Sequence, residues 1–161
     1  MIYVIMGVSG AGKTRVGKLL ADRLTLPFYD ADDFHPQRNV EKMESGQPLN
    51  DSDRKPWLED LASHIQNWEE EGGAVLACSA LKKKYRQLLK KKPESKVQFI
   101  YLKGTPELID ERLRQREGHY MPASLLNSQF DALEEPENAI VIPIDKEPSR
   151  IVEEIIEKIS E

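Results

Sequence analysis

Hydrophobic and polar positions change period several times along the chain, and each change marks an element. Residues 2–6 (Ile-Tyr-Val-Ile-Met) and 74–78 (Ala-Val-Leu-Ala-Cys) are short continuous apolar runs, as in parallel strands buried on both faces. Residues 97–102 and 140–144 read as two further strands, and 27–29 as a brief one. Between them the period lengthens. Val16, Leu19, Leu20 and Leu24 predict a helix over 13–24, and Trp57, Leu58, Leu61, Ile65 and Trp68 form the apolar stripe of a longer one. Asp53 is the expected cap of that helix, Pro56 is tolerated in its first turn, and Gly72-Gly73 stops it. Ser79 is the expected cap of a helix carrying the basic run 82–92. Thr105-Pro106 opens the next helix, with Leu108, Ile109 and Leu113 facing inward, and Ile151, Val152, Ile155, Ile156 and Ile159 make the last one amphipathic. Strands alternating with helices predict an α/β domain: a five-stranded parallel sheet flanked by helices, with right-handed crossovers.

The junction between the first strand and first helix carries chemistry. Gly7-Val8-Ser9-Gly10-Ala11-Gly12-Lys13-Thr14 matches G-x-x-x-x-G-K-[ST] completely, in the strand-to-helix context that gives this P-loop NTPase pattern its meaning. Glycines let backbone N–H groups turn inward around phosphate oxygens. Lys13 then reaches the terminal phosphates, and Thr14 offers a hydroxyl to Mg²⁺. Gly7, Ser9, Gly10, Ala11, Gly12, Lys13 and Thr14 are thus the expected ATP-phosphate contacts.

Composition narrows the partners. A chain of 161 residues is one ordinary domain, so residues 1–161 must carry both substrates in a single unit. A net charge of −5 argues against general nucleic-acid affinity, and most of the basic run 82–92 reads as the solvated face of a helix. No apolar run approaches a membrane span and the chain enters its first strand directly, so the expected location is cytoplasmic. The single Cys78 reads as a small buried hydrophobe, and Trp57 and Trp68 as core.

A second set of polar residues suits a phosphate acceptor. Asp30 and Asp32 lie two apart at the end of a strand, so an extended backbone would aim both carboxylates toward the phosphate loop. Of two such acids, one suits Mg²⁺ or its waters and the other orients an acceptor hydroxyl. Asp32, nearer the loop expected to cover the acceptor, is assigned to the hydroxyl, and Asp30 to the metal. Arg112 and Arg116 share a helix face and lead into Glu117-Gly-His-Tyr-Met-Pro122, which reads as a lid bringing positive charge over the transferring phosphate. Residues Ile144 to Pro148 are expected near the nucleotide base.

Six blocks in order then carry a resemblance. The phosphate loop, Asp30-Ala-Asp-Asp-Phe-His-Pro, Asn39-Val-Glu-Lys-Met43, Gly46-Gln-Pro-Leu-Asn-Asp-Ser-Asp-Arg54-Lys-Pro-Trp57, Cys78-Ser-Ala-Leu-Lys82-Lys-Lys-Tyr-Arg86, and Gly118-His-Tyr-Met-Pro122 through Ser128-Gln-Phe130 to Pro136 resemble gluconokinases of the small P-loop type. The resemblance covers residues 2 to about 150. It implies ATP-dependent phosphorylation of D-gluconate at its 6-hydroxyl, Mg²⁺, a nucleoside-monophosphate-kinase-like fold with a mobile lid (about 116–136), and commonly a homodimer. Shikimate kinase, another small-molecule kinase, or a non-catalytic ATP-binding module are the alternatives. A sugar acid needs a fixed cation and several polar contacts. Arg54, Lys82 and Arg86 are the candidate cations, and His35, His119 and Gln129 the polar contacts. Arg54 stands in the first turn of a helix, where a cation opposes the dipole unless an anion visits. Ala31 occupies a position where the resembling motif carries glycine, and its methyl is expected to narrow the acceptor pocket.

Overall fold

Strand β1 (Ile2–Met6) runs through the middle of a five-stranded, wholly parallel sheet in the computed structural model, which describes residues 1–115 and 123–161. The chain proceeds through α1 (Lys13–Leu24), β2 (Phe28–Asp30), one 3-10 turn (Ala31–Phe34), α2 (Gln37–Glu44), α3 (Asp51–Glu70) and β3 (Ala74–Ala77). It continues with α4 (Lys83–Leu89), β4 (Val97–Lys103), α5 (Pro106–Gln115), α6 (Ala123–Ala132), β5 (Ala139–Pro143) and α7 (Pro148–Ile159). The strand order is β2-β3-β1-β4-β5. β1 pairs with β3 on one side (Ile5 opposite Ala77) and β4 on the other (Ile5 opposite Ile100). The chain thus builds outward from β1 first one way and then the other, and such sheets bind ligands beyond the carboxyl ends of their strands at that change of direction.

The two-residue period of the strands divides the core. Ile2, Val4 and Met6 of β1 join Leu76, Trp57, Leu58, Leu61, Ile65 and Trp68 on the face covered by α3 and α4. Ile5 joins Val75, Ile100 and Leu102 on the other face, under Val16 and Leu20 of α1, Ile109 of α5 and Ile151 and Ile155 of α7. Pro143, at the end of β5, sits on an edge strand, where its missing N–H costs no ladder bond to a further neighbour.

Four local expectations change. Helix α3 is capped by Asn50, not Asp53: the Asn50 side chain accepts from the Asp53 N–H at 2.8 Å while Asp53 Oδ2 accepts from the Asn50 N–H at 2.9 Å. This reciprocal box starts the helix at Asp51, so Pro56 falls in the second turn on an exposed face. Ser79 caps nothing, because α4 begins only at Lys83, whose N–H is taken by Glu134 Oε1 at 2.7 Å. Ala31 is 1% exposed and packs in the α3 face of the core, so its methyl does not narrow a pocket.

Candidate active site

The phosphate loop is shaped by its neighbours as well as its glycines. Gly12 forms the N-cap of α1 at φ 92°, a left-handed conformation that other residues adopt only with strain. A Cβ on Gly10 would stand 3.0–3.2 Å from Leu113 and Ile109, so the loop lies directly on α5. Lys13 Nζ donates to the Val8 carbonyl of its own loop at 3.1 Å. Gln129, expected among the sugar contacts, is instead bound to this loop: its Oε1 accepts from the Ser9 N–H at 2.7 Å and its Nε2 donates to Ser9 Oγ at 2.9 Å.

At the end of β2 the backbone turns sooner than strand alternation supposed. Asp30 is the last strand residue, and its Oδ1 accepts from the Asp32 N–H at 3.0 Å, capping the 3-10 turn that contains Asp32. The two aspartates are therefore neighbours across a turn, not along an extended strand. Asp30 Oδ2 accepts from Thr14 Oγ1 at 3.4 Å, which brings together a hydroxyl and a carboxylate beside the phosphate loop. The Asp32 side chain is 84% exposed. Neighbouring protein that displaces part of its hydration, then repulsion from Asp30, raise its pKa from the ordinary carboxylate value against the pull of His35 and Lys13. Thr14 and Asp30 also line a cavity of about 300 Å³ with Lys18, Phe28, Tyr29, Asp33 and Phe34.

His35 lies beside Asp32. Its ring stacks on Trp57 with centroids 4.0 Å apart, its side chain is 4% exposed, and its Nε2 lies 3.9 Å from Asp32 Oδ1. Trp57 is held in turn, its Nε1 donating to the Ala31 carbonyl at 2.8 Å. Burial lowers the His35 pKa, Arg54 adds to this, and Asp32 only partly offsets it.

The candidate cations separate into two kinds. Arg54 and Lys82 both lie within cation–π reach of Tyr85, at 5.6 and 5.7 Å from the ring centroid, and Arg54 Nη1 also donates to the Tyr85 hydroxyl at 3.3 Å. That hydroxyl donates to Asp51 Oδ1 at 2.6 Å, and burial followed by this bond pushes the phenol up to about 12. Hydrogen bonds from Lys84 and Tyr85 lower Asp51 to about 2. Arg86 differs: it is 8% exposed, and its guanidinium donates to the carbonyls of Ala80, Leu81 and Glu134 at 2.7, 3.2 and 2.8 Å. Far from being part of a solvated basic face, Arg86 ties the β3–α4 loop to the segment after α6.

Arg112, on α5, donates from Nη2 to the Ile144 carbonyl, which joins it to the segment expected near the base. Pro148 begins α7 at its first position. Arg116 and His119 lie outside the described residues. Cys78 is fully buried, and loss of solvation pushes its thiol up to about 12, so it is an unreactive core residue. Sequence reasoning missed Asn39, Asp51 and Tyr85, and it took Trp57 for core alone. Asn39 sits in a polar stretch without periodicity, where nothing in the sequence marks its bond to the Asp53 carbonyl.

Comparison with known proteins finds a matching family and several relatives. The shikimate kinase family profile matches residues 9–160. A probable gluconokinase of Xenopus tropicalis is 49% identical over 173 residues, covering 96% of this chain and 91% of the relative. The thermoresistant gluconokinase of Escherichia coli is 44% identical, covering 98% of this chain and 93% of the relative. The crystal structure of a gluconokinase from Sinorhizobium meliloti superposes with a TM-score of 0.88 at 36% identity, over 99% of this chain and 91% of that one.

Proposed function

The chain belongs to the gluconokinase family, and from that premise we propose that it transfers the γ-phosphoryl group of ATP to the 6-hydroxyl of D-gluconate, giving 6-phospho-D-gluconate. The observation that supports this best is the meeting of the Thr14–Asp30 pair and the open Asp32 carboxylate beside the phosphate loop.

The residues divide the work. Backbone N–H groups of the loop cradle the phosphates, and Lys13 swings from the Val8 carbonyl to the transferring group, neutralising charge that moves onto the β–γ bridge. Thr14 and Asp30 suit Mg²⁺, a hard cation that takes a hydroxyl and one or two carboxylates beside substrate phosphates. When bound, the ion supplies charge neutralisation at the phosphates. Asp32 orients the 6-hydroxyl and accepts its proton as the new O–P bond forms and the bond to the leaving ADP breaks. The transition state is loose, so orientation precedes proton loss. Arg54 and Lys82 bind the gluconate carboxylate, with His35 and, from the sequence, His119 on its hydroxyls. Arg112 works at the nucleotide alongside the Ile144–Pro148 segment, and, from the sequence, Arg116 is assigned to the phosphoryl group and residues of about 116–136 of the single domain to a lid. Arg86 is assigned to holding the loop rather than the substrate, and Gln129 to the phosphate loop.

No helix among the described residues is long and apolar enough to cross a membrane. A cytoplasmic homodimer is part of the proposal, and analytical ultracentrifugation checks the assembly. A coupled ADP-release assay over a panel of sugar acids and shikimate tests the reaction. Gluconate-dependent ADP release far above the background ATPase is expected; release with shikimate but not gluconate overturns the substrate.

A further inference from the structure

Asn39 is a costly residue to bury. It is 0% exposed, and its Oδ1 has no partner among the described residues, although a leucine would fill similar space without an orphaned acceptor. What the amide does with its other end is specific. Both Nδ2 hydrogens are committed, one toward the Asp53 carbonyl at 3.0 Å and one toward His35 Nδ1 at 3.2 Å. The orientation follows from chemistry: exchanging the amide ends would set Oδ1 against the Asp53 carbonyl, two acceptors facing each other. The carbonyl is itself held in place, because Asp53 is locked in the capping box and its carboxylate takes Lys42 Nζ at 2.6 Å.

A donor aimed at Nδ1 requires a lone pair there, so the neutral ring carries its proton on Nε2. Stacking on Trp57 fixes the ring plane, and Nε2 then faces Asp32 Oδ1 across 3.9 Å. That gap is too long for a direct hydrogen bond. One oxygen set to the side, about 2.8 Å from each group, spans it, provided the oxygen can accept from N–H and donate to a carboxylate. A hydroxyl does both. An ether or carbonyl oxygen cannot.

We propose that Asn39 is a positioning residue that locks His35 as an Nε2–H donor, and that His35 and Asp32 together receive one acceptor hydroxyl, His35 donating to its oxygen and Asp32 accepting its proton. This rests on the sugar-acid reading of the cleft. It adds a reason for hydroxyl selectivity and gives a buried residue a role at the site through the tautomer it imposes.

Two measurements test it. Nitrogen NMR of the full-length ¹⁵N-labelled wild-type chain above pH 8, with His35 assigned by the His35→Gln variant, should show a pyrrole-type Nε2 and a pyridine-type Nδ1. Asn39→Asp, which offers Nδ1 an acceptor, should move the proton to Nδ1. In steady-state kinetics His35→Gln keeps a donor near the Nε2 position and should stay within about tenfold of wild type, whereas His35→Leu should lose about a hundredfold in kcat/KM for gluconate with KM for ATP unchanged. An Nδ1–H tautomer in an active wild-type enzyme overturns the proposal, as do equal activities of the Gln and Leu variants. Failure of wild-type enzyme to turn over gluconate falls on the substrate reading instead. The tautomer measurement uses wild-type protein, so it stands even where Asn39→Asp does not fold.

Discussion

The Gln129 side-chain amide closes on Ser9 from both ends, taking the loop N–H at 2.7 Å and donating to the hydroxyl at 2.9 Å. The partners are 120 residues apart, so helix α6 holds the phosphate loop in shape at a point where the loop's own turn leaves a backbone donor over. Gln129→Ala should leave the loop less ordered before ATP arrives. The expected result is a KM for ATP raised about tenfold, roughly the worth of two neutral hydrogen bonds, with KM for gluconate unchanged. A change confined to gluconate KM would return Gln129 to the sugar pocket.

Lys13 already leans on a carbonyl of its own loop, so it need only rotate to reach a bound phosphate. Lys13→Ala should lower kcat by about two or more orders of magnitude, in line with losing a charge that acts on the transition state. Near-normal turnover would remove the loop lysine from the mechanism.

The roles of the two aspartates can be separated. Asp32→Asn keeps the shape and one acceptor oxygen but removes charge and basicity. It should bind ATP·Mg²⁺ almost normally by calorimetry and lose roughly two to four orders of magnitude in gluconate turnover. Weakened ATP·Mg²⁺ binding with activity recovered at high Mg²⁺ would exchange the roles of Asp30 and Asp32.

Arg86 donates to three backbone carbonyls in a buried setting, so its removal leaves acceptors without partners. Arg86→Met should destabilise the fold by about 3 kcal/mol and lower the melting temperature by about 6–12 °C. An unchanged melting curve with a raised gluconate KM would restore it as a substrate cation.

Asp51 links the start of α3 to α4 through Lys84 and Tyr85, bonds that lower its pKa from 3.8 to about 2. A carboxylate depressed in the native state binds fewer protons there than when unfolded, so its stabilisation is present above the ordinary carboxylate value and lost as pH falls toward 2. Asp51→Asn should flatten that part of the acid-denaturation curve while leaving the slope near neutrality unchanged. An identical acid limb would show that the Asp51 cluster does not contribute to folding.

Much of the protein is legible along the chain because its signals are local. The phosphate loop is eight consecutive residues whose meaning depends only on a strand before and a helix after. The two-faced sheet follows from apolar runs too short for helices, and the amphipathic stripes from periods within single helices. Asp30 and Asp32 were legible as a pair for the same reason, although the strand alternation used to orient them ends one residue too early, where Asp30 caps the 3-10 turn. What the tertiary structure alone decided concerns side chains whose partners are far away in sequence. Arg54, Lys82 and Arg86 all stand as candidate cations in the sequence. Burial and carbonyls from two separate loops make Arg86 a tie, while Arg54 and Lys82 share the Tyr85 ring. Gln129 and Asn39 show the same limit, since an amide has no preferred side until a fold supplies the group it bonds. Local periodicity carries the backbone because hydrogen bonding and burial of each element repeat at fixed intervals. The roles of polar side chains depend on which distant donors and acceptors close packing brings within 3 Å, and no sequence interval encodes that distance.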